Sequence, residues 1–333
     1  MNILIISNYR ESVGGISGQV KLLAENLKQE GEHIRIFSTY GNPMMRLWLF
    51  VKLLFVAYRF DVLHIHACSF WGFLPAVYGV ISGKLLCKRT VLTYHGGDGG
   101  SFFDAHPKIV RYFLSRTDTN IVLSGFLAEV FKKHDLPCIV IPNILEEKSK
   151  MNYVVRDEIK PRFISIRILE PLYNIECILK AFEIVKQQKR ESTLTVLGDG
   201  TCRQSLERFV REHQLKDVTF YGQINNKDID DYLCKADILL SAPTIDNQPM
   251  SLLEAFRAGL LVISSRVGGV PYMIEHGVTG FMFESNNHEE LARLMIEATD
   301  NQQTSISMIK NAHLQLSKYT WKHIREDLYK CYL

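Results

Sequence analysis

Several features that would fix the class of this 333-residue chain at once are scarce or missing. Charge of one sign is scarce: 39 Lys and Arg stand against 36 Asp and Glu. The net of +3 is too small for the basic footprint of a nucleic-acid binder, so no nucleic-acid partner is expected. The seven cysteines are scattered with no CxxC pair. That odd count argues against a disulfide framework and for reduced, buried thiols in a cytoplasmic protein. No apolar run reaches the roughly 20 uninterrupted residues of a membrane span. The chain opens directly on a strand pattern, Asn2 to Ser7, with no basic region or cleavage site ahead of it, so no signal peptide is expected. Low-complexity segments and short repeats are lacking. So is the G-x-G-x-x-G turn of a nicotinamide-dependent dehydrogenase, because the run from Gly14 to Gly18 has another spacing. No Asp-x-Asp motif is placed to hold a divalent metal. What the chain does have is 47% hydrophobic residues, ample for cores, and a length that suggests two domains.

Those cores follow a repeated strand–helix order. Apolar runs at 1–7, 33–38, 61–66, 90–94, 119–123 and 138–141 read as parallel strands with helical patterns between them. A polar, charged stretch at 145–160 reads as a linker. A second set of strands runs through 162–166, 193–197, 218–221, 237–240 and 260–264. The tail from 320 is an amphipathic helix. This order predicts an α/β chain of two doubly wound domains, 1–150 and 151–316, with a terminal helix at 317–333.

In open parallel sheets, ligands bind beyond the carboxyl ends of the strands. Several turns at such ends carry chemistry. Gly14 and Gly15 permit a tight turn and close backbone approach before the first helix. His95 ends a strand and precedes a glycine run, Gly96-Gly97-Asp98-Gly99-Gly100, which reads as flexible. Arg167 ends the first strand of the second domain. Gly198-Asp199-Gly200 and Gly222-Gln223-Ile224 end two more. His64 and His66 share one strand face, but no further ligands are placed to complete a metal site, so they read as core or cleft-wall residues.

The most informative stretch is Ser241 to Pro271, which reads strand, loop, helix, strand. Its loop holds Asp246, Asn247 and Gln248 just ahead of a helix running from about Met250 to Arg257, which Gly259 is placed to stop. A helix N-terminus suits an anion such as a phosphate. Asp246 and Glu254 bracket it. On chemistry alone two readings stand together: a phosphate site between carboxylates, or a helix capped by Asp246 and Asn247 with Glu254 as an exposed acid. The segment 43–60 also has two readings. Its run MMRLWLFVKLLFVAYRF is apolar apart from Arg46, Lys52 and Arg59. It suits a helix packed on the sheet with its cations at the rim, or one lying in a membrane interface.

The Ser241–Pro271 stretch resembles the donor-binding signature of retaining glycosyltransferases with the GT-B fold, in particular the GT4 family. That signature has two acids with seven residues between them, then Ala and a small-residue turn. Here these are Asp246 and Glu254, followed by EAFRAG and VGGVPYMIEHGVTGFMF. The first acid is Asp where the family usually has Glu. The resemblance covers nearly the whole chain and is most specific from Leu194 to Phe283. It implies two Rossmann-like domains facing a cleft, the first for the acceptor and the second for a nucleotide sugar, with the last helix crossing back to the first. It implies a nucleotide-sugar co-substrate, no cofactor and no metal. Arg167, the helix N-terminus at Met250 and Ser251, and the Gly14-Gly15 backbone would stabilise charge on the departing phosphate. Glu254 would bond the ribose. Asp246 and the backbone through Asn247, Gln248, Pro249 and Met250 would hold sugar hydroxyls, His95 would orient the sugar, and Gly198, Gly222 and Ile224 would shape the base pocket. The implied acceptor is a glycan or lipid-linked saccharide of surface polysaccharide assembly. That favours a membrane surface for 43–60 and a cytoplasmic, inner-face location. One departure matters: the family places a Lys about five residues after its Arg, and here Leu172 or Tyr173 stands there. Losing such a contact costs roughly 1.5–3 kcal/mol, about ten- to a hundredfold in affinity. A catalytically weakened partner subunit therefore stays open, as does a sugar-nucleotide epimerase on the same fold, which the acidic pair disfavours.

Overall fold

The computed structural model describes residues 1–10, 15–41, 46–146, 153–225 and 228–333. Gly14, the first residues of the 43–60 segment and the middle of the expected linker lie outside the described residues. The chain divides into two units, Met1–Glu146 with Lys318–Leu333, and Glu147–Ser317.

The first unit alternates β1 (Asn2–Ser7), α1 (Gly15–Gln29), β2 (His33–Ser38), α2 (Arg46–Ala57), β3 (Val62–Ala67), α3 (Leu74–Leu86), β4 (Arg89–Tyr94), α4 (Gly99–Ala105), α5 (Pro107–Leu114), β5 (Thr119–Val122), α6 (Gly125–Lys133) and β6 (Ile139–Val140). The strands form one parallel sheet in the order β2-β1-β3-β4-β5-β6. A parallel sheet is covered on both faces, so its central strands are apolar throughout rather than alternating. Ile3 to Ile6 of β1 are all fully buried. Leu4 and Ile6 join one core with Leu63, Ile65 and Phe103, while Ile3 and Ile5 join another with Val20, Leu23 and Leu27 of α1. The glycine run after β4 is not a flexible loop throughout. Gly99 and Gly100 form the first turn of α4. A Cβ on Gly99 would lie 3.0 Å from the Tyr94 ring and 3.2 Å from Leu127, so this glycine permits close packing of a helix on the sheet end.

The second unit continues with β7 (Arg162–Ile166), α7 (Ile175–Gln188), β8 (Thr193–Leu197), α8 (Arg203–Glu212), β9 (Val218–Gly222), α9 (Ile229–Leu233), β10 (Ile238–Ser241), α10 (Met250–Ala258), β11 (Leu261–Ser265), β12 (Phe281–Phe283), α11 (His288–Asp300) and α12 (Gln302–Leu314). Its parallel sheet has the order β12-β11-β10-β7-β8-β9. The three-residue β12 was not among the expected strands. The expected linker is shorter than its polar composition implied, because Arg156 is already part of the core of this unit. Its side chain is 4% exposed; Nε donates to Asp237 Oδ1 at 3.0 Å and Nη1 to the Ala258 carbonyl at 3.1 Å. Asp237, fully buried just before β10, is also paired with Arg162. A buried carboxylate needs such partners, and a polar stretch that supplies one is held rather than loose. The terminal helix α13 (Trp321–Tyr332) belongs to the first unit. There Ile324, Leu328, Cys331 and Tyr332 are buried with Ile3, Ile5 and Val20.

Candidate active site

In the second unit the loops after β7, β8 and β9 are tied together past the strand ends. Arg167 N–H donates to the Leu197 carbonyl at 3.0 Å, and Gly198 N–H to the Gly222 carbonyl at 2.8 Å. Gly198 has φ +133°, and a Cβ there would lie 1.8 Å from the Arg167 carbonyl oxygen. Glycine alone lets the two backbones approach so closely. The Arg167 side chain that this packing fixes is 13% exposed. Its Nη2 lies 2.8 Å from Asp246 Oδ2, an ion pair whose atoms are not aligned as a hydrogen bond. Nε and Nη2 therefore keep donor capacity in a buried setting. Where the resemblance places a Lys, the Tyr173 ring stands 5.1 Å from the Arg167 guanidinium carbon and packs against it. Burial pushes the Tyr173 phenol up from its ordinary range.

The loop before α10 is held by the glycine pair behind it. Gly269 N–H donates to the Asp246 carbonyl at 2.9 Å. A Cβ on Gly268, at φ +50°, would sit 1.9 Å from that same oxygen. Ser265 Oγ donates to the Pro243 carbonyl at 2.6 Å, and Thr244 N–H to the Leu172 carbonyl at 2.8 Å. The VGG turn thus supports the site directly, a role the sequence reading did not assign to Gly268. Asp246 is not the helix cap. One carboxylate oxygen accepts from Asn247 N–H at 2.8 Å and the other faces Arg167. The cap residue of α10 is Pro249, whose own side chain makes no capping hydrogen bond. Asn247, Gln248, Pro249 and Ser251 are buried, Met250 and Glu254 half-buried. The Ser251 hydroxyl is buried without a hydrogen-bond partner among the described residues. Gly259 ends the helix at φ +72°, as its position predicted.

Gly222 ends β9 at φ +76°. Ile224 lines, with Tyr221, Gln223 and Tyr232, a cavity of about 370 Å³. The one literal Asp-x-Asp run near it, Asp228-Ile229-Asp230, leads into α9, and Asp230 is paired with Arg257 at 3.1 Å. Among the described residues no three His, Cys, Asp or Glu converge as a metal site.

In the first unit, His95 follows β4, and its N–H donates to the Ala67 carbonyl at 2.8 Å. Its ring is engaged too: Nε2 lies 2.8 Å from His66 Nδ1. His64 is bonded through Nδ1 to the Tyr332 hydroxyl and through Nε2 to Thr93 Oγ1, each at 2.8 Å. Burial lowers all three imidazoles, His64 to about 3, His95 to about 4 and His66 well below its ordinary value. All three are neutral near pH 7. The reading of His64 and His66 as wall residues agrees with their burial but missed the His66–His95 contact. The strand register contains it: His66 pairs with Thr93, and His95 is two residues further along the same face. Gly15 opens α1 with nothing within 4 Å of its Cβ position. In α2, Leu53 and Ala57 are buried, while Leu47, Trp48 and Phe55, like Tyr58 just past its end, are each more than 70% exposed, with Lys52 in the helix and Arg59 in the turn after it. Among the described residues no helix is long and apolar enough to cross a membrane.

Two doubly wound parallel sheets, one bearing a largely buried guanidinium and an acidic pair around a helix N-terminus, define a two-domain α/β transferase of the GT-B class. Residues 147–315 match the family profile of glycosyl transferases group 1, and residues 27–147 match that of glycosyltransferase family 4. The chain belongs to this family of glycosyltransferases. It is 24% identical to the amylovoran biosynthesis glycosyltransferase AmsK of Erwinia amylovora, over 72% of this chain and 62% of that one. It is 24% identical to the alpha-monoglucosyldiacylglycerol synthase of Streptococcus pneumoniae, over 85% and 77%. Among solved structures, Anabaena HepE in complex with UDP-glucose superposes with a TM-score of 0.79 at 18% identity, over 99% of this chain and 98% of that one.

Proposed function

We propose that this glycosyltransferase is a retaining enzyme, moving a sugar from a nucleotide-sugar donor to a glycan or lipid-linked saccharide in surface polysaccharide assembly. The observation that carries this reading is Arg167, a largely buried guanidinium whose Nε and Nη2 keep donor capacity, paired to Asp246 in the loop that leads into α10. As the sugar–phosphate bond breaks, negative charge builds on the departing diphosphate. Arg167 and the α10 backbone supply positive potential there, so no metal is needed. A phosphate drawn to Arg167 releases Asp246 Oδ2 for a sugar hydroxyl. Glu254, one turn inside the helix, bonds the ribose, and His95 orients the sugar. The UDP-glucose held by HepE and the monoglucosyldiacylglycerol named as the product of the pneumococcal relative support a nucleotide-sugar donor and a lipid-borne acceptor. The exposed aromatic and cationic face of α2 supports a location on the inner face of the membrane.

A second reading rests on Tyr173 in place of a Lys: a partner subunit that no longer binds donor. One thermal-shift panel separates the two, using UDP, GDP, ADP and their sugars on the wild type and on Arg167→Ala. A ligand at about 100 times its Kd stabilises by roughly 2.7 kcal/mol. The transferase reading expects one nucleotide family to shift the wild type and not the variant. No shift with any of them would move the assignment to the partner subunit.

A further inference from the structure

The sugar-transfer reading uses one histidine of the first unit, His95, and leaves its neighbour His66 without a role. His66 is 4% exposed, and its Nδ1 lies 2.8 Å from His95 Nε2. Burial keeps both rings neutral, so one hydrogen serves the bond between them. There are two ways to place it. If His95 Nε2 carries the hydrogen, His66 Nδ1 accepts and the hydrogen of His66 sits on its own Nε2. That atom is buried and has no hydrogen-bond partner among the described residues. A buried N–H without a partner is costly, and orphaned donors are rarer in proteins than underused acceptors. If His66 Nδ1 carries the hydrogen, only a lone pair is left on Nε2. His95 then accepts at Nε2 and, being neutral, holds its own hydrogen on Nδ1.

We propose that His66 is a positioning residue for the transfer reaction: its Nδ1–H bond to His95 Nε2 holds the His95 ring and fixes it as the Nδ1–H tautomer. His95 thereby offers a bound sugar a hydrogen-bond donor rather than a lone pair. The device has a second layer. The His64 ring lies 4.4 Å from the His66 ring, centroid to centroid, and both nitrogens of His64 are tied down, to Thr93 and to Tyr332 of α13. This gives His66 a fixed wall to rest on. The orienting role of His95 toward a sugar belongs to the proposed function and stands on that reading; the tautomer does not.

Long-range proton–nitrogen NMR of the full chain, labelled with ring-15N histidine, reads the tautomer directly. His66→Asn and His95→Gln assign the signals. In the wild type, His95 is expected with a protonated Nδ1 and a bare Nε2. His66→Phe removes the bond, and His95 should pass to the Nε2–H form that free imidazoles prefer. His66→Asn keeps an N–H donor and should keep the Nδ1–H form. A wild-type His95 carrying its hydrogen on Nε2 overturns the proposal, and needs no variant to fold. A tautomer indifferent to His66→Phe overturns it as well. With a donor in hand, His66→Phe should lower kcat about tenfold with donor KM within twofold, and His66→Asn should restore most of it. If no sugar is transferred while the tautomer behaves as stated, the transfer reading fails and the histidine pair stands; transfer with an indifferent tautomer gives the reverse.

Discussion

Gly198 shows how much of this site depends on the absence of a single side chain. Its φ of +133° and the 1.8 Å between its Cβ position and the Arg167 carbonyl are separate obstacles to any other residue. Alanine there must displace backbone, because the clashing atom is not the end of a flexible side chain. Gly198→Ala is therefore expected to cost about 3 kcal/mol or more in urea denaturation. Gly277 is the control. It has φ +77° but nothing within 4 Å of its Cβ position, so Gly277→Ala should cost only about 1 kcal/mol. Equal losses at the two positions would show that close approach at Gly198 is not what matters. At this scale the sequence spoke where a motif is ordered along the chain: the family resemblance pointed to Asp246, Glu254 and Arg167, which spacing alone left open between a phosphate site and a capped helix. Contacts between distant residues were not legible. Nothing in the spacing of 167 and 246 shows that the shorter acid reaches the guanidinium, or that Gly268 supports the Asp246 carbonyl. Both depend on how three strand ends lie side by side.

Elements follow the same division. The buried runs of β1, β7, β8, β10 and β11, and the stop of α10 at Gly259, are local patterns, and they appear where expected. The start of α4, the short β12 and the packed Arg156 do not, because in each the local composition points away from regular structure and tertiary contacts decide. Paired strands β3 and β4 hold His64 and His66, with His95 just beyond, and their burial has a consequence at low pH. Each folded pKa is depressed, to about 3 for His64, about 4 for His95 and well down for His66, against roughly 6.5 in an unfolded chain. Between about pH 6.5 and 4 the unfolded state thus holds more protons than the folded one. Stability is full above about pH 6.5 and falls as pH drops through that window. With three such groups the slope reaches at most about 4 kcal/mol per pH unit. Urea midpoints taken from pH 7 to 4.5 should show it, and His64→Gln should flatten it by about a third. A slope unchanged by His64→Gln would place the acid sensitivity elsewhere. Helix α2 is the other element with an outcome of its own. Its outward side, Trp48, Lys52 and Phe55, with Arg59 in the turn that follows, has aromatics and cations and no carboxylate, as an anionic lipid surface requires. Co-sedimentation with anionic vesicles is expected. Lys52→Glu should weaken it by about 2 kcal/mol, roughly thirtyfold, and indifference of the wild type to lipid would sink the idea.

For the whole molecule, the two units differ in how the chain makes them. The second is continuous from Glu147 to Ser317 and has its own core around Phe163, Phe182 and Leu240. It also carries Arg167, Asp246, Glu254 and the N-terminus of α10 together. A fragment of residues 147–317 is accordingly expected to fold cooperatively and to show the same nucleotide-dependent thermal shift as the full chain, without transferring sugar. The first unit is closed by a segment from the far end of the sequence. Without α13 it loses Ile324, Leu328 and Tyr332 from the core that covers Ile3 and Ile5. Burial of each such side chain is worth about 1.5–3 kcal/mol, and a domain's whole stability is only about 5–15 kcal/mol. Residues 1–146 alone should therefore fail to give a sharp urea transition. Joining 318–333 to them through a flexible linker should restore it, along with the His64–Tyr332 bond. If 1–146 instead unfolds cooperatively with near full-chain stability, α13 is a cover and not a structural member. In that case Tyr332 would not be what holds His64 against His66.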